Sequence, residues 1–415
     1  MGAIQLSYST FGLTQLGFLD AIDAVDRAGY DGIEISFHRD QFNPFDLGAD
    51  ELAAVRKRLD ARRVKAACVA TASHFFDPQR PHEPSLMTLS RAGRQRRIDL
   101  VRRGIEVARS LGVPLVTFGS GFVRAEHVAS PGVDPGELLA ESIHECLREI
   151  RDDEDITLLI EPEPGMQIET LAQGLALIDQ VGSPKFKLHI DICHAYCSEP
   201  DYIDALAQAA PQARYLHISD ARAGYNLKVV DDSEALAPDL GCASVLVHFA
   251  DTSEFLLLDR EQPTHFCEAP PSAVRARRIE ALLERAGVVR DLARVDYRSL
   301  YAGASPLDDE IFTWMISVPG IDFDVLERAR PIVAWLRGAR AAPRVDRMVA
   351  NTLTGVVHFH EIPGEGTLDF AASFKALTDA GFAGYGSVEL YHHVASWQQA
   401  LDDSYRHLAP FVAVA

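Results

Sequence analysis

Through the first 220 residues, short β-branched apolar runs alternate with amphipathic segments, which predicts βα units around a parallel sheet. The runs are Ile4 to Tyr8, Gly32 to Phe37, Lys65 to Ala70, Leu115 to Gly119, Thr157 to Glu161, Lys187 to Asp191 and Tyr215 to Ser219. Between them apolar residues recur at helical spacing, as in Phe18, Ile22 and Val25, or Ile98, Val101, Ile105 and Ala108. Gly29 and Gly112 stand where a helix must end in a left-handed residue before the next strand. An eighth strand, Ser387 to Leu390, follows the helical stretch Phe370 to Ala380, so the elements add up to an α/β chain folded as a (β/α)8 TIM barrel.

The eighth strand comes late, because the stretch 223–354 is far too long for a structureless connection. It opens with three apolar runs, Ser244 to Phe249, Phe255 to Leu258 and His265 to Cys267, parted by turn-like residues in the manner of an antiparallel meander. Helical stripes follow at Val274, Ile279, Leu282 and Leu283, and at Val325, Leu326, Ile332, Val333 and Leu336. The expected organisation is therefore a barrel made of residues 1–222 and 355–415, with 223–354 as an inserted α/β subdomain over its C-terminal face.

Charge narrows the function. Lys and Arg number 40 against 60 Asp and Glu, a formal charge of −20, which disfavours nucleic acid and anionic membrane as partners. The start MGAIQLSYSTFGL has no signal-peptide pattern and no run reaches transmembrane length, so a cytoplasmic location is expected. The six cysteines are scattered, unlike a disulfide framework. A small polar substrate or a cation fits this balance, and a homo-oligomer is compatible with it.

In such a barrel, chemistry sits at the C-terminal ends of the strands. Polar residues finish four apolar runs there: Glu161 in Leu-Leu-Ile-Glu, Asp191 in Leu-His-Ile-Asp, His217 in Tyr-Leu-His-Ile and Glu389 in Ser-Val-Glu-Leu. Three acids and an imidazole converging at a barrel mouth would leave negative charge unpaired, and a divalent cation with O and N ligands (Mn, Mg, Co or Zn) is the usual remedy. Glu34 and His38 on the second strand, His74 after the third and Glu163 beyond Glu161 are expected to line the mouth and bind hydroxyls. Gly119-Ser120-Gly121 could present backbone N–H groups to a phosphate, although a short Gly-x-Gly is more often a plain turn.

Several stretches, in this order and on successive strands, carry a resemblance. They are Ala28-Gly29-Tyr30-Asp31-Gly32-Ile33-Glu34, Ala108-Arg109-Ser110-Leu111-Gly112, Ile160-Glu161-Pro162, Asp191-Ile192-Cys193-His194-Ala195, Leu216-His217-Ile218-Ser219-Asp220, Pro363-Gly364-Glu365-Gly366-Thr367-Leu368-Asp369-Phe370, and Gly381 to Glu389. The chain resembles the xylose-isomerase-like TIM barrels, the sugar phosphate isomerase/epimerase superfamily that also holds ketose 3-epimerases, inosose dehydratases and endonuclease IV. The resemblance implies one divalent metal ion held by Glu161, Asp191, His217 and Glu389. It implies substrate contacts from His194 and, more weakly, Arg222, and proton transfer by Glu161 and Glu389. The metal-binding imidazole has a rival in His358 or His360, directly before Pro363-Gly364-Glu365-Gly366. His217 is preferred for its ordinary 26-residue step from Asp191, and His360 then enters the pocket as a substrate contact.

The function this implies is a divalent-metal-dependent isomerase or epimerase of a sugar, keto-sugar or cyclitol, with a small sugar-like molecule as partner. The alternatives are a metal-dependent dehydratase or hydrolase of the same superfamily, and a non-catalytic barrel that binds a metabolite. Product mass separates the first two, because isomerisation conserves it.

Overall fold

The computed structural model describes residues 4–71, 75–76, 82–123, 127, 130–164, 166–199, 201–223, 225–231, 243–249, 254–258, 264–266, 349–350, 356–391 and 393–412. Eight parallel strands close on themselves: β1 (Ile4–Ser9), β2 (Gly32–Ser36), β3 (Lys65–Ala70), β4 (Leu115–Gly119), β5 (Thr157–Glu161), β6 (Phe186–Asp191), β7 (Ala213–Ile218) and, last in the chain, β15 (Gly384–Val388). Each pairs with its neighbour in sequence except that β15 sits between β7 and β1, which completes the barrel. Because helices cover the outside and side chains fill the inside, the strands are buried on both faces and read as nearly continuous apolar runs.

The helices follow their sequence signals. α1 (Phe18–Ala28) buries Phe18, Ala21, Ile22 and Val25 and stops at Gly29, whose φ of 101° only glycine adopts without strain. α2 (Ala49–Asp60) and α3 (Arg91–Leu111) follow, and α4 (Pro135–Leu147) starts with proline in its first turn. α5 (Leu171–Val181) is opened by a capping box in which Thr170 and Gln173 bond each other's backbone N–H. α6 (Ile192–Ser198) and α7 (Tyr202–Ala209) lie between β6 and β7, α8 (Phe370–Asp379) precedes β15, and α9 (Trp397–Val412) ends the described chain.

The chain divides into two compact units, residues 1–220 with 360–415, and residues 221–359. In the second unit, β9 (Tyr225–Asp231), β10 (Ala243–Phe249), β11 (Glu254–Leu258) and β12 (Thr264–Phe266) pair antiparallel in sequence order. This is the meander that the apolar runs predict, with one more strand at its start. β8 (Asp220–Ala223), β13 (Val349–Ala350) and β14 (Val356–Glu361) form a further three-stranded sheet in the order β13-β14-β8. The two helical stripes expected at 274–283 and 325–336 lie outside the described residues.

Strand register sets the site. Glu161 lies opposite Gly119, Asp191 opposite His217, and His217 opposite Ser387. Glu389 continues β15 by donating its N–H to the carbonyl of Ile218 at 3.2 Å. Four chain-distant residues are thereby brought to one end of one barrel.

Candidate metal and substrate site

His217 is the centre of the cluster. Its Nδ1 stands 3.1 Å from Glu161 Oε1, 3.5 Å from Glu389 Oε2 and 3.9 Å from Asp191 Oδ2. Its Nε2 lies 2.7 Å from Glu34 Oε2 on β2. The register of β2 against β3 shifts between Ile33 and Glu34, an irregularity of the kind that re-aims a side chain. Asp191 uses Oδ1 to accept the His194 N–H at 3.0 Å, capping α6, while its Oδ2 is buried with no hydrogen bond.

A second imidazole pair stands beside these groups. His194 Nδ1 lies 3.0 Å from the Pro162 carbonyl, and His360 Nδ1 lies 2.9 Å from the Glu389 carbonyl. A carbonyl oxygen only accepts, so these contacts assign the proton to Nδ1 of both rings. The two Nε2 atoms are within hydrogen-bond distance of each other at 3.2 Å, and lie 3.5 Å (His194) and 3.6 Å (His360) from Asp191 Oδ2. His360 holds this pose at φ 58°, a left-handed conformation.

These donors fit a divalent cation. Carboxylate oxygens and imidazole nitrogens converge from five barrel strands, and Asp191 Oδ2 and Glu34 Oε1 are buried there without a hydrogen bond. Among the described residues, overlapping triads of ligand atoms lie within 4.8 Å of one another: Glu161, Asp191 and His194; Glu34, His217 and Glu389; Glu161, His189 and His217; Asp191, Cys193 and His360.

Electrostatics point the same way. Burial pushes the Asp191 carboxyl up to about 6 despite the opposing pull of His217. Burial and then neighbouring carboxylates drive Glu163 well above the usual carboxylate range; burial does the same to Glu389, aided by Glu161 and Glu34 against the pull of His217. Burial works to neutralise the buried His217–Glu34 pair, but their mutual attraction outweighs it: His217 is driven well up, with help from Glu389 and Glu161, and Glu34 is lowered. Desolvation takes His194 down to about 4 and His189 well below the usual imidazole range. The cluster holds more acid than it can ionise without added positive charge.

Of the sequence-derived site residues, Glu161, Asp191, His217, Glu389, His194, Glu34 and His360 all come together here. His74 and the side chain of Arg222 lie outside the described residues. His38 turns into its own loop, where its Nδ1 accepts the Asp40 N–H at 3.3 Å. Sequence reasoning passed over His189, whose Nδ1 lies 2.8 Å from Thr117 Oγ1 and whose ring packs edge-on against His217 at 4.1 Å. The signal was its place two residues before Asp191, on the same face of a strand. Tyr391 was also passed over; its ring stacks on Phe11 at 5.3 Å and lies 4.9 Å from His360. Cys68, Cys146, Cys193 and Cys197 are buried and form no disulfide among the described residues.

The family described as xylose isomerase-like TIM barrel matches residues 22–255. Among solved structures, a xylose isomerase domain protein from Alicyclobacillus acidocaldarius aligns with TM-score 0.52 and 13% identity over 99% of both chains. The IOLI protein, described with a binding zinc atom, aligns with TM-score 0.51 and 13% identity over 99% of both chains. An L-ribulose 3-epimerase aligns with TM-score 0.50 and 14% identity over 99% of this chain and 95% of its own. At these identities the likeness is one of fold. No curated protein matches the sequence.

Proposed function

The chain belongs to the family of xylose isomerase-like TIM barrels, and from that premise we propose that it is a divalent-metal-dependent isomerase or epimerase of a sugar, keto-sugar or cyclitol. The observation that carries this reading is the meeting of Glu161, Glu389 and Asp191 around His217 Nδ1, with Asp191 Oδ2 buried and lacking a hydrogen bond. Glu161, Asp191, His217 and Glu389 would hold one ion, of Mn, Mg, Co or Zn. The zinc described in a protein of similar fold, and the sugar chemistry named for the epimerase, agree with this choice. Bound there, the ion would polarise a substrate carbonyl and so acidify the adjacent C–H.

The remaining work falls to the chain's own side chains. Glu161 and Glu389 serve as the acid–base pair, one taking the proton from the carbon beside the carbonyl and the other returning one. Glu34, bonded to His217 Nε2, fixes that ring so that Nδ1 faces the carboxylates. His194 and His360, anchored through Nδ1 to backbone carbonyls, hold their Nε2 atoms 3.2 Å apart beside the carboxylates, where substrate hydroxyls would bond them. Among the described residues no helix is long and apolar enough to cross a membrane.

The test is incorporation of solvent deuterium into ketoses and cyclitols by the metal-loaded protein. Exchange at the carbon beside the carbonyl, with product mass otherwise unchanged, is expected. Glu161→Gln and Glu389→Gln should each lower its rate by roughly 10²–10⁴-fold. Loss of about 18 Da with every substrate turned over would mean elimination of water instead.

A further inference from the structure

His189 has no part in the reading above, and it occupies a place where an apolar side chain is ordinary. The interior of such a barrel is filled in layers, mostly by branched apolar residues. His189 lies one layer below Asp191 on the same face of β6, opposite Tyr215 on β7. It is fully buried, and its ring lies 5.1 Å from that of Tyr215, which belongs to a small core cluster with Cys68 and Leu159. The register of β6 against β7 shifts just before it, as that of β2 against β3 does just before Glu34. An imidazole here gives up apolar packing and leaves one nitrogen unsatisfied, a cost that filling the core does not explain.

The surroundings assign its proton. Nδ1 lies 2.8 Å from Thr117 Oγ1 and 3.6 Å from Glu161 Oε2, whereas Nε2 is buried with no hydrogen bond. A bare lone pair on Nδ1 would face a carboxylate oxygen and would leave an orphaned N–H at Nε2, the costlier defect of the two. The N–H therefore sits on Nδ1, where Thr117 Oγ1 accepts it and Glu161 Oε2 lies just beyond hydrogen-bond reach. Thr117 is itself fixed, its carbonyl accepting from both the N–H and the hydroxyl of Thr71 at 3.1 Å. The other oxygen of Glu161, Oε1, stands 3.1 Å from His217 Nδ1. Two imidazoles, packed edge-on to each other at 4.1 Å, thus face one oxygen each of a single carboxylate.

We propose that His189, seated on Thr117, is a positioning residue that sets the rotation of the Glu161 carboxylate, with one oxygen toward His217 Nδ1 and the other toward His189 Nδ1–H. This deepens the function proposed above and rests on it, since Glu161 is there both a metal ligand and half of the acid–base pair. The terminal torsion of a glutamate is broad, so a carboxylate without such a partner samples many orientations. Holding one orientation strengthens a ligand and keeps a proton acceptor in line with its carbon. Glu34 plays the corresponding part for His217.

The test titrates the full chain with Co²⁺, reading visible absorption and dissociation constant, and then measures exchange of solvent deuterium into ketoses and cyclitols. His189→Leu fills the space without an N–H. It should weaken Co²⁺ binding roughly 10–100-fold, alter the Co²⁺ spectrum, and lower kcat for exchange about 10²-fold with KM little changed. Two further variants separate positioning from packing. Asn carries an amide N–H near the place of Nδ1 and Gln near that of Nε2. His189→Asn should therefore keep the wild-type spectrum and most of the affinity, while His189→Gln should follow His189→Leu; this contrast holds even where His189→Leu fails to fold. A wild-type spectrum and affinity in His189→Leu, or equal losses in His189→Asn and His189→Gln, overturns the inference alone. If Co²⁺ binds and no substrate exchanges, the proposed reaction fails while the spectra still decide the inference. Native wild-type protein that binds no Co²⁺ overturns both.

Discussion

His217 turns its two nitrogens toward different chemistry, and the difference is set by the residue behind it. Nε2 bonds Glu34 at 2.7 Å, so the ring is oriented by a buried carboxylate while Nδ1 is left facing Glu161, Glu389 and Asp191. Glu34→Gln keeps a polar partner but removes the charge, and should weaken metal binding roughly 10–100-fold by calorimetric titration. An unchanged affinity would mean that Glu34 does not support the ligand. Affinity should also depend on pH. A ligand must be deprotonated to bind, and the Asp191 carboxyl, pushed up by burial to about 6, gains its proton as pH falls through that value. His217 and Glu389 are driven up as well and must also give up their protons to bind, so metal binding should strengthen as pH rises through and beyond ~6 and weaken by about tenfold or more per unit below it; a flat titration across that range would contradict the assignment. At this scale the strand-end acids were legible, because a charged residue closing an apolar run has few reasons to be there. His189 was not, since Leu188-His189-Ile190 reads as a continuous apolar strand, and the register shift between Leu188 and His189 has no sequence mark.

Among elements, the join between β7 and α8 depends on one carboxylate. Asp220 is buried, and its Oδ2 accepts the N–H groups of Gly364 and Gly366 at 2.9 and 3.0 Å while Oδ1 accepts that of Leu368 at 3.0 Å. It ties the turn after His360 back to the chain just beyond the strand that carries His217, although residues 221–359 intervene in sequence. Asp220→Ala leaves three backbone donors without their acceptor and should destabilise the barrel by about 3 kcal/mol or more. The measurement is the midpoint of denaturant unfolding; a loss below about 1 kcal/mol would show that water replaces the carboxylate. Legibility differed between the units for a physical reason. The barrel strands are short apolar runs bounded by Gly or charge, so their limits were readable to within a few residues. β9 escaped because Tyr225-Asn226-Leu227-Lys228-Val229 alternates apolar and polar residues, as an antiparallel strand does, and so lacks the continuous apolar run by which the barrel strands are read.

At the scale of the whole molecule, the barrel closes where the last strand, β15, meets the first, β1, along Ile4 to Tyr8. The last described helix, α9, is tied to the turn before β2: the buried Tyr30 hydroxyl donates to the Leu401 carbonyl at 2.9 Å. Closure across nearly the full chain length is what lets Glu34 from β2 and Glu389 after β15 share one site. The formal charge of −20 also acquires a partial location, since five of the acids crowd the mouth of the barrel beside histidines. The central claim is that this cluster exists to hold a cation, and metal content tests it most directly. Protein saturated with Mn²⁺ and freed of excess ion should retain one equivalent per chain by elemental analysis. Asp191→Asn should retain markedly less with an unchanged circular dichroism spectrum. Native-fold protein that holds no divalent metal under these conditions would contradict the account.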